Sequence, residues 1–301
     1  MAEDYISVIT SLLEKTNAIQ AKKFKTFLDT CDDLYRKRAN LFFSQYERLL
    51  NHLGKDFSYS VDCYNRMNTD MLYERIQFLD TGKYSNQSFE DVKNKIYLSP
   101  DAFEHHMHGL AIAQFVWWDQ YQRFSFFADN LHKYVDRTGR YLEVGGGHGL
   151  YISEALRHFN NDTTFDLVDI SPTSIEMSKV ALNTNRVNYI LKDIFDFDGK
   201  EKFDFITIGE VIEHVEDPKA LMQKLGELLN DNGTIYVTTP ANAPMIDHIY
   251  LFHDAEDIRS FLQNAGFKIV DERAVFAENM EYKKAVKYKV PLMYAAFIQK
   301  S

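Results

Sequence analysis

Apolar positions in the first 55 residues recur mostly at steps of three and four: Ile6, Ile9, Leu12 and Leu13, then Phe24, Phe27, Leu28, Leu34 and Tyr35. That period marks amphipathic helices, so residues 2–55 are predicted helical. A second helix carries Leu41, Phe42, Tyr46, Leu49 and Leu50, with Gly54 as its stop. Helical patterning continues to about residue 138, through a candidate helix at 67–79, a turn-like break at 81–86 and an N-cap signal at Ser88 with Asp91 three places on. Ser99-Pro100-Asp101 reads as another helix start, with proline at the first helical position. Residues 103–121 then concentrate aromatic and histidine side chains, including both tryptophans, Trp117 and Trp118. Two readings stay open for this stretch: plain packing between helices, or a helical cap whose aromatic residues cover a site. His105, His106 and His108 do not suit one metal, because neighbours on a helix diverge by about 100°.

After a turn at Asp136-Arg137-Thr138-Gly139 the pattern changes to strand–helix alternation, the mark of a parallel α/β sheet. Strands are predicted at 140–144, 164–169, 189–191, 203–208, 234–239, 268–275 and 287–298. Helices are predicted at 150–159, from Ser171-Pro172 onward, at 218–229 and at 254–265. Asp231-Asn232-Gly233 reads as a turn into the fifth strand, and Gly266 as a helix stop. The fourth strand is nearly continuous in apolar character, as a strand covered on both faces should be. The expected architecture is a Rossmann-like, seven-stranded, mostly parallel sheet with helices on both faces, preceded by an all-α domain. The division falls at 1–138 and 139–301.

Ligands bind open α/β sheets beyond the carboxyl ends of the strands, and those ends carry the chemistry here. Residues 141–152 read Tyr-Leu-Glu-Val-Gly-Gly-Gly-His-Gly-Leu-Tyr-Ile, a strand breaking into a glycine loop and then a helix. Such a loop lets backbone N–H groups approach a ligand closely. The dinucleotide fingerprint G-x-G-x-x-G fails in register, since its last position falls on Leu150 counted from Gly145 and on Ile152 counted from Gly147. Strand two ends on Asp169, placed to accept from both hydroxyls of a ribose or, alternatively, to serve as a helix N-terminal charge next to Ser171. Asp193 follows strand three beside Ile194 and Phe195, a carboxylate for an amino group with apolar neighbours for a flat ring. Strand four ends in Gly209-Glu210.

The spacing Glu143-x-Gly145-x-Gly147-x-Gly149 resembles motif I of class I S-adenosylmethionine (SAM) methyltransferases. The segment Gly209-Glu-Val-Ile-Glu-His-Val-Glu-Asp-Pro218 is similar to the signature of the broad family that includes ubiquinone-biosynthesis-type O-methyltransferases. The resemblance covers residues 140–300. It implies SAM as cofactor, with S-adenosylhomocysteine (SAH) as product, and a cofactor site formed by Glu143, Gly145, Gly146, Gly147, Asp169, Ile170, Asp193, Ile194 and Glu210. Within that set Asp169 holds the ribose, Asp193 the adenine, and Glu210 faces the methionine part. It further implies in-line displacement of the sulfonium methyl by a small-molecule oxygen or nitrogen, with His214 as candidate general base or as a residue that only orients its loop. Glu210, Glu213, His214 and His248 also resemble the metal site of small-RNA 2′-O-methyltransferases, so a metal-assisted reaction is the alternative. The second alternative is a non-enzymatic SAM-binding regulatory or scaffold protein. The helical half matches no family motif and is the expected carrier of acceptor specificity, with a homodimer interface as a further role for its apolar helices.

Composition narrows the partners. The 301 residues carry a formal net charge of −10, which opposes phosphate backbones and favours a small acceptor over nucleic acid. Cys31 and Cys63 alone make neither a disulfide framework nor a three-cysteine radical centre. No Asn-Pro-Pro-Tyr-like motif follows strand four, which speaks against methylation of a nucleobase amine. The chain opens without a basic n-region and apolar h-region, so no signal peptide is expected. No apolar run approaches the roughly 20 residues of a membrane span. The expectation is a soluble, cytoplasmic protein with no membrane partner.

Overall fold

The computed structural model describes residues 4–93, 96, 99–199, 201–278 and 280–301; the predicted helical start at residue 2 lies outside them. The apolar stretch to residue 55 divides into three helices, where sequence periodicity suggests two. These are α1 (Tyr5–Thr16), α2 (Ala18–Leu28) and α3 (Asp33–His52). Asn17 and Asp32 make the breaks: each side-chain oxygen accepts from the backbone N–H three residues on, Gln20 and Tyr35 respectively. That satisfies an N–H group which a helix start leaves open. Asp56 caps α4 (Phe57–Thr81) in the same way, and Gly82 ends it in the left-handed conformation that a glycine adopts without strain.

Next come α5 (Phe89–Val92), α6 (Pro100–Val116) and α7 (Trp118–Asn130). Ser88 sits at the N-cap position of α5, as its sequence signal suggests, but its side chain makes no capping hydrogen bond. The N–H of Phe89 instead donates to the Glu216 carboxylate at 2.8 Å. The stretch 103–121 is not one helix, because Trp117 is extended and separates α6 from α7.

The second half alternates β1 (Arg140–Val144), α8 (Leu150–His158), β2 (Thr164–Asp169), α9 (Pro172–Leu182), β3 (Val187–Leu191), β4 (Phe203–Gly209), α10 (Pro218–Leu228), β5 (Leu229–Ala241), α11 (Ala255–Asn264), β6 (Phe267–Phe276), α12 (Tyr282–Lys287) and β7 (Leu292–Lys300). The seven strands lie in the order β3-β2-β1-β4-β5-β7-β6, and β7 runs antiparallel to both of its neighbours. Two boundaries differ from the sequence pattern. The predicted last strand at 287–298 begins only at Leu292, since α12 runs through Lys287 and residues 288–291 turn the chain into the strand, with Lys289 at a φ of 48°. The Asp231-Asn232-Gly233 turn is absorbed into β5 as a bulge: Phe203 pairs with Leu229 while Phe205 already pairs with Thr234.

Strand order switches direction between β1 and β4, which themselves run parallel, so their carboxyl ends open a crevice. The helical half closes around the sheet through specific bonds. Arg48 of α3 donates twice to the Ala181 carbonyl at the end of α9, at 2.6 and 3.1 Å. Ser153 of α8 donates to Gln45 at 2.7 Å, and Tyr236 of β5 donates to the Arg123 carbonyl of α7 at 2.7 Å. Among the described residues no helix is long and apolar enough to cross a membrane.

Candidate active site

A cavity of about 490 Å³ sits over the crevice. Its floor is the turn from β1 into α8. Gly145, Gly147 and Gly149 hold φ of 70°, 51° and 76°, a region costing most L-residues about 1–2 kcal/mol. Gly146 is required for space instead: a Cβ there would lie 2.5 Å from Leu167 Cδ1. The chain thus passes over the ends of β1 and β2 with no side chains in the way. The Gly145 N–H is already bonded to the Val168 carbonyl at 2.9 Å.

Every residue expected at the cofactor site lines this one cavity: Glu143, Gly145, Gly146, Gly147, Asp169, Ile170, Asp193, Ile194 and Glu210, together with His214. Asp169 is almost fully buried. Its Oδ1 accepts from the Ser171 N–H at 2.8 Å and its Oδ2 from the Gly147 N–H at 3.4 Å. Burial raises its pKa to about 6. Burial likewise raises Glu143 to about 8, although the Tyr141 hydroxyl donates to it at 3.1 Å. Asp193 accepts from the Phe195 N–H at 3.0 Å at the start of a single 3-10 turn, which brings Ile194 to the wall. Glu210 is held against the end of β4 by Thr238, whose hydroxyl donates to its Oε1 at 2.8 Å.

The other wall is a buried histidine–carboxylate cluster. His214 Nδ1 donates to the Asp247 carbonyl at 3.0 Å, and His248 Nδ1 to the Ala243 carbonyl at 2.6 Å. A ring nitrogen that donates to a carbonyl makes Nε2 the acceptor in the neutral ring. The two Nε2 atoms stand 3.9 and 4.0 Å from Glu213 Oε1. That oxygen is buried without a hydrogen-bond partner, while Oε2 accepts from Thr239 at 2.9 Å. Burial alone would lower the His214 pKa, but the Asp247 and Glu213 carboxylates outweigh it and raise it. His248 is pushed down to about 3, chiefly by burial. Burial pushes Glu213 up. Glu210, the fourth member of the expected metal set, turns instead to Thr238 and to Arg123 of α7.

The helical half supplies part of the wall, though not through its tryptophans. Neither Trp117 nor Trp118 lines the cavity. The Trp117 indole N–H donates to the Tyr64 hydroxyl at 2.6 Å, and Trp118 packs edge-on against Phe27. These contacts belong to the helical core, so the aromatic-cap reading is corrected to packing. Residues earlier on α6 and at the start of α7 reach the cavity: His106, Met107, Leu110, Gln114 and Gln120. Tyr151 and Phe89 also line it. The three histidines of α6 separate as expected. His105 meets Asp70 at 3.2 Å and His108 meets Tyr46 at 2.5 Å, whereas His106 Nε2 faces Asp247 at 3.8 Å. Asp247 and Arg123 carry no sequence signal, and His106 stands out only as one of three clustered histidines. Each becomes part of the site only through the packing of α6, α7 and the loop after β5.

Residues 119–272, just over half of the chain, match the family model described as "Methyltransferase domain". The chain belongs to that family of class I methyltransferases, whose methyl donor is SAM. It is 31% identical over 119 residues to a malonyl-[acyl-carrier protein] O-methyltransferase of Ilyobacter polytropus, a match covering 38% of this chain and 44% of the relative. It is 30% identical over 109 residues to a ubiquinone biosynthesis O-methyltransferase of Xanthomonas campestris pv. campestris, covering 35% and 44%. The chain thus spans less than half the length of these curated relatives. In fold it resembles the N-methyltransferase NodS of Bradyrhizobium japonicum WM9, solved with SAH, at a TM-score of 0.51 and 14% identity over 71% of this chain and 99% of that one.

Proposed function

We propose that the protein transfers the methyl group of SAM to a small-molecule acceptor at oxygen or nitrogen. The observation that carries this reading is one cavity in which the glycine turn, Asp169, Asp193 and Glu210 share a wall with His214 and with α6. The residues suit the cofactor, because the turn presents backbone rather than side chains and the buried Asp169 carboxylate faces the same space. Bound there, SAM supplies a methyl group already activated by its sulfonium. Asp169 accepts from the ribose hydroxyls, Asp193 from the adenine amino group, and Glu210 faces the amino-acid end. The acidic chain favours a small acceptor over a nucleic acid, and relatives named as O-methyltransferases favour oxygen. His214 takes the acceptor proton on Nε2 while Asp247 and Glu213 stabilise the charged ring. The N-terminal helices select the acceptor through His106, Met107 and Gln114 and carry a dimer contact on the exposed α4 stripe of Leu72, Tyr73, Ile76 and Leu79.

The test is SAH release from SAM with a panel of small phenols, sugars and amines. His214→Gln is expected to lower turnover by about 10²- to 10⁴-fold while leaving SAH binding within twofold; near-wild-type turnover removes His214 as the base.

One observation favours a second reading, a divalent cation held by Glu213, His214 and His248. One ligand atom from each lies within 4.8 Å of the other two. Both rings are oriented by carbonyls through Nδ1, the usual support of a metal-bound imidazole. Such an ion would polarise an acceptor hydroxyl. Equilibrium dialysis with Mn²⁺ or Zn²⁺ is expected to show one ion per chain, with Glu213→Gln weakening it by at least about tenfold. Absence of stoichiometric binding to the wild type rejects this reading.

A further inference from the structure

Arg123 is a whole guanidinium inside the protein: it is 1% exposed and lies on α7, outside the cavity lining. Its Nη1 pairs with Glu210 Oε1. Its Nε and Nη2 are buried without a hydrogen-bond partner. Asp119, one turn earlier on the same helix, is 3% exposed and also leaves an oxygen unpartnered. Only the arginine end of this ion pair is buried, the Glu210 side chain staying 30% exposed, and a buried charge is poor support for stability, because well-packed apolar residues of similar size serve as well or better. The pair therefore calls for another role.

The backbone of Glu210 points to that role. Its φ is +55°, a conformation few non-glycine residues adopt. Its N–H reaches both the carbonyl and the hydroxyl of Thr238, each at 3.1 Å, and the Thr238 hydroxyl donates onward to Oε1 at 2.8 Å. Thr238 and Arg123 thus hold the same carboxylate oxygen from two sides. The helix carrying Arg123 is itself pinned by the Tyr236 hydroxyl on the Arg123 carbonyl. A cavity-facing carboxylate fixed this firmly is pre-organised to receive a cation, whereas a free glutamate would lose rotamer freedom on binding.

We propose that Arg123 is a positioning residue of the cofactor site: it locks the Glu210 carboxylate where it receives the ammonium of the amino-acid end of SAM or SAH. This rests on the reading of the cavity as a SAM site. It makes α7 a determinant of donor affinity.

Calorimetry of the full chain with two ligands tests it. SAH carries the amino-acid end; 5′-methylthioadenosine shares the nucleoside and sulfur but lacks it. Arg123→Met is expected to weaken SAH at least tenfold and leave 5′-methylthioadenosine within twofold. Arg123→Lys, which keeps the charge and tests the point if the Met variant does not fold, is expected to give a smaller loss confined to SAH. Parallel loss of both ligands shows a merely structural role and overturns the proposal, as does unchanged SAH affinity. Failure of the wild type to bind either ligand overturns the SAM reading itself and the proposal with it.

Discussion

Asp169→Ala is expected to weaken SAH binding by about 10- to 150-fold, the equivalent of roughly 1.5–3 kcal/mol for hydrogen bonds to a charged group. The carboxylate sits at the end of β2 with one oxygen on the Ser171 N–H and the other on the Gly147 N–H. It thereby ties the glycine turn to the start of α9 while facing the cavity. Two effects on folding oppose each other. The variant leaves those two N–H groups without their acceptor, but it also removes a buried charge. The sign of the second effect follows from the pKa, which burial raises from 3.8 to about 6. A folded value above the unfolded one gives a contribution to stability that is present below pH 3.8 and lost as pH rises through 6. Near pH 7 the charge is a burden on the fold, so the melting temperature is expected to move little while affinity collapses. Wild-type affinity should also fall as pH drops through about 6, because the protonated acid can no longer accept on both oxygens. The variant should show a smaller step near pH 6, while titration of Glu143, raised to about 8 in the same cavity, is unaffected. A variant that binds SAH as the wild type does would remove Asp169 from the site.

What the sequence makes legible here is local. The glycine turn, Asp169, Asp193 and Glu210 each sit at a strand end, and a parallel sheet brings strand ends together whatever the rest of the chain does. The alternation of strands and helices is therefore enough to place them in one cavity. Long-range packing leaves no such trace. Trp117 and Trp118 look like a ligand-covering pair, yet the indole of Trp117 spends its N–H on Tyr64, 53 residues away. His106 and Asp247 meet only because α6 lies beside the loop after β5. Arg123 reads as one more polar position on an aromatic helix, and its meaning comes from Glu210, which is distant in sequence. The bulge in β5 is similar: Asp231-Asn232-Gly233 has the composition of a turn, and only the pairing with β4 turns it into an irregular strand.

Gly146→Ala is expected to damage fold and binding together. Its backbone needs no left-handed conformation, so the whole effect comes from packing. The added Cβ would lie 2.5 Å from Leu167 Cδ1 and 2.7 Å from its Cγ. Leu167 is fully buried in β2, a strand hydrogen-bonded on both sides, so neither partner can retreat freely. Overpacking of this kind costs about 1–3 kcal/mol, and each kcal/mol lowers the melting temperature of a protein of this size by about 1–2 °C. The displaced turn also loses its fit to the nucleoside, so SAH and 5′-methylthioadenosine should weaken together, unlike the Arg123 variants. Leu167→Ala alone opens a core cavity at a cost of about 2–5 kcal/mol. Combined with Gly146→Ala it supplies the missing space, and the double variant should melt higher than the sum of the single losses requires. Strict additivity in thermal or urea unfolding would mean that the contact with Leu167 is not what keeps position 146 a glycine.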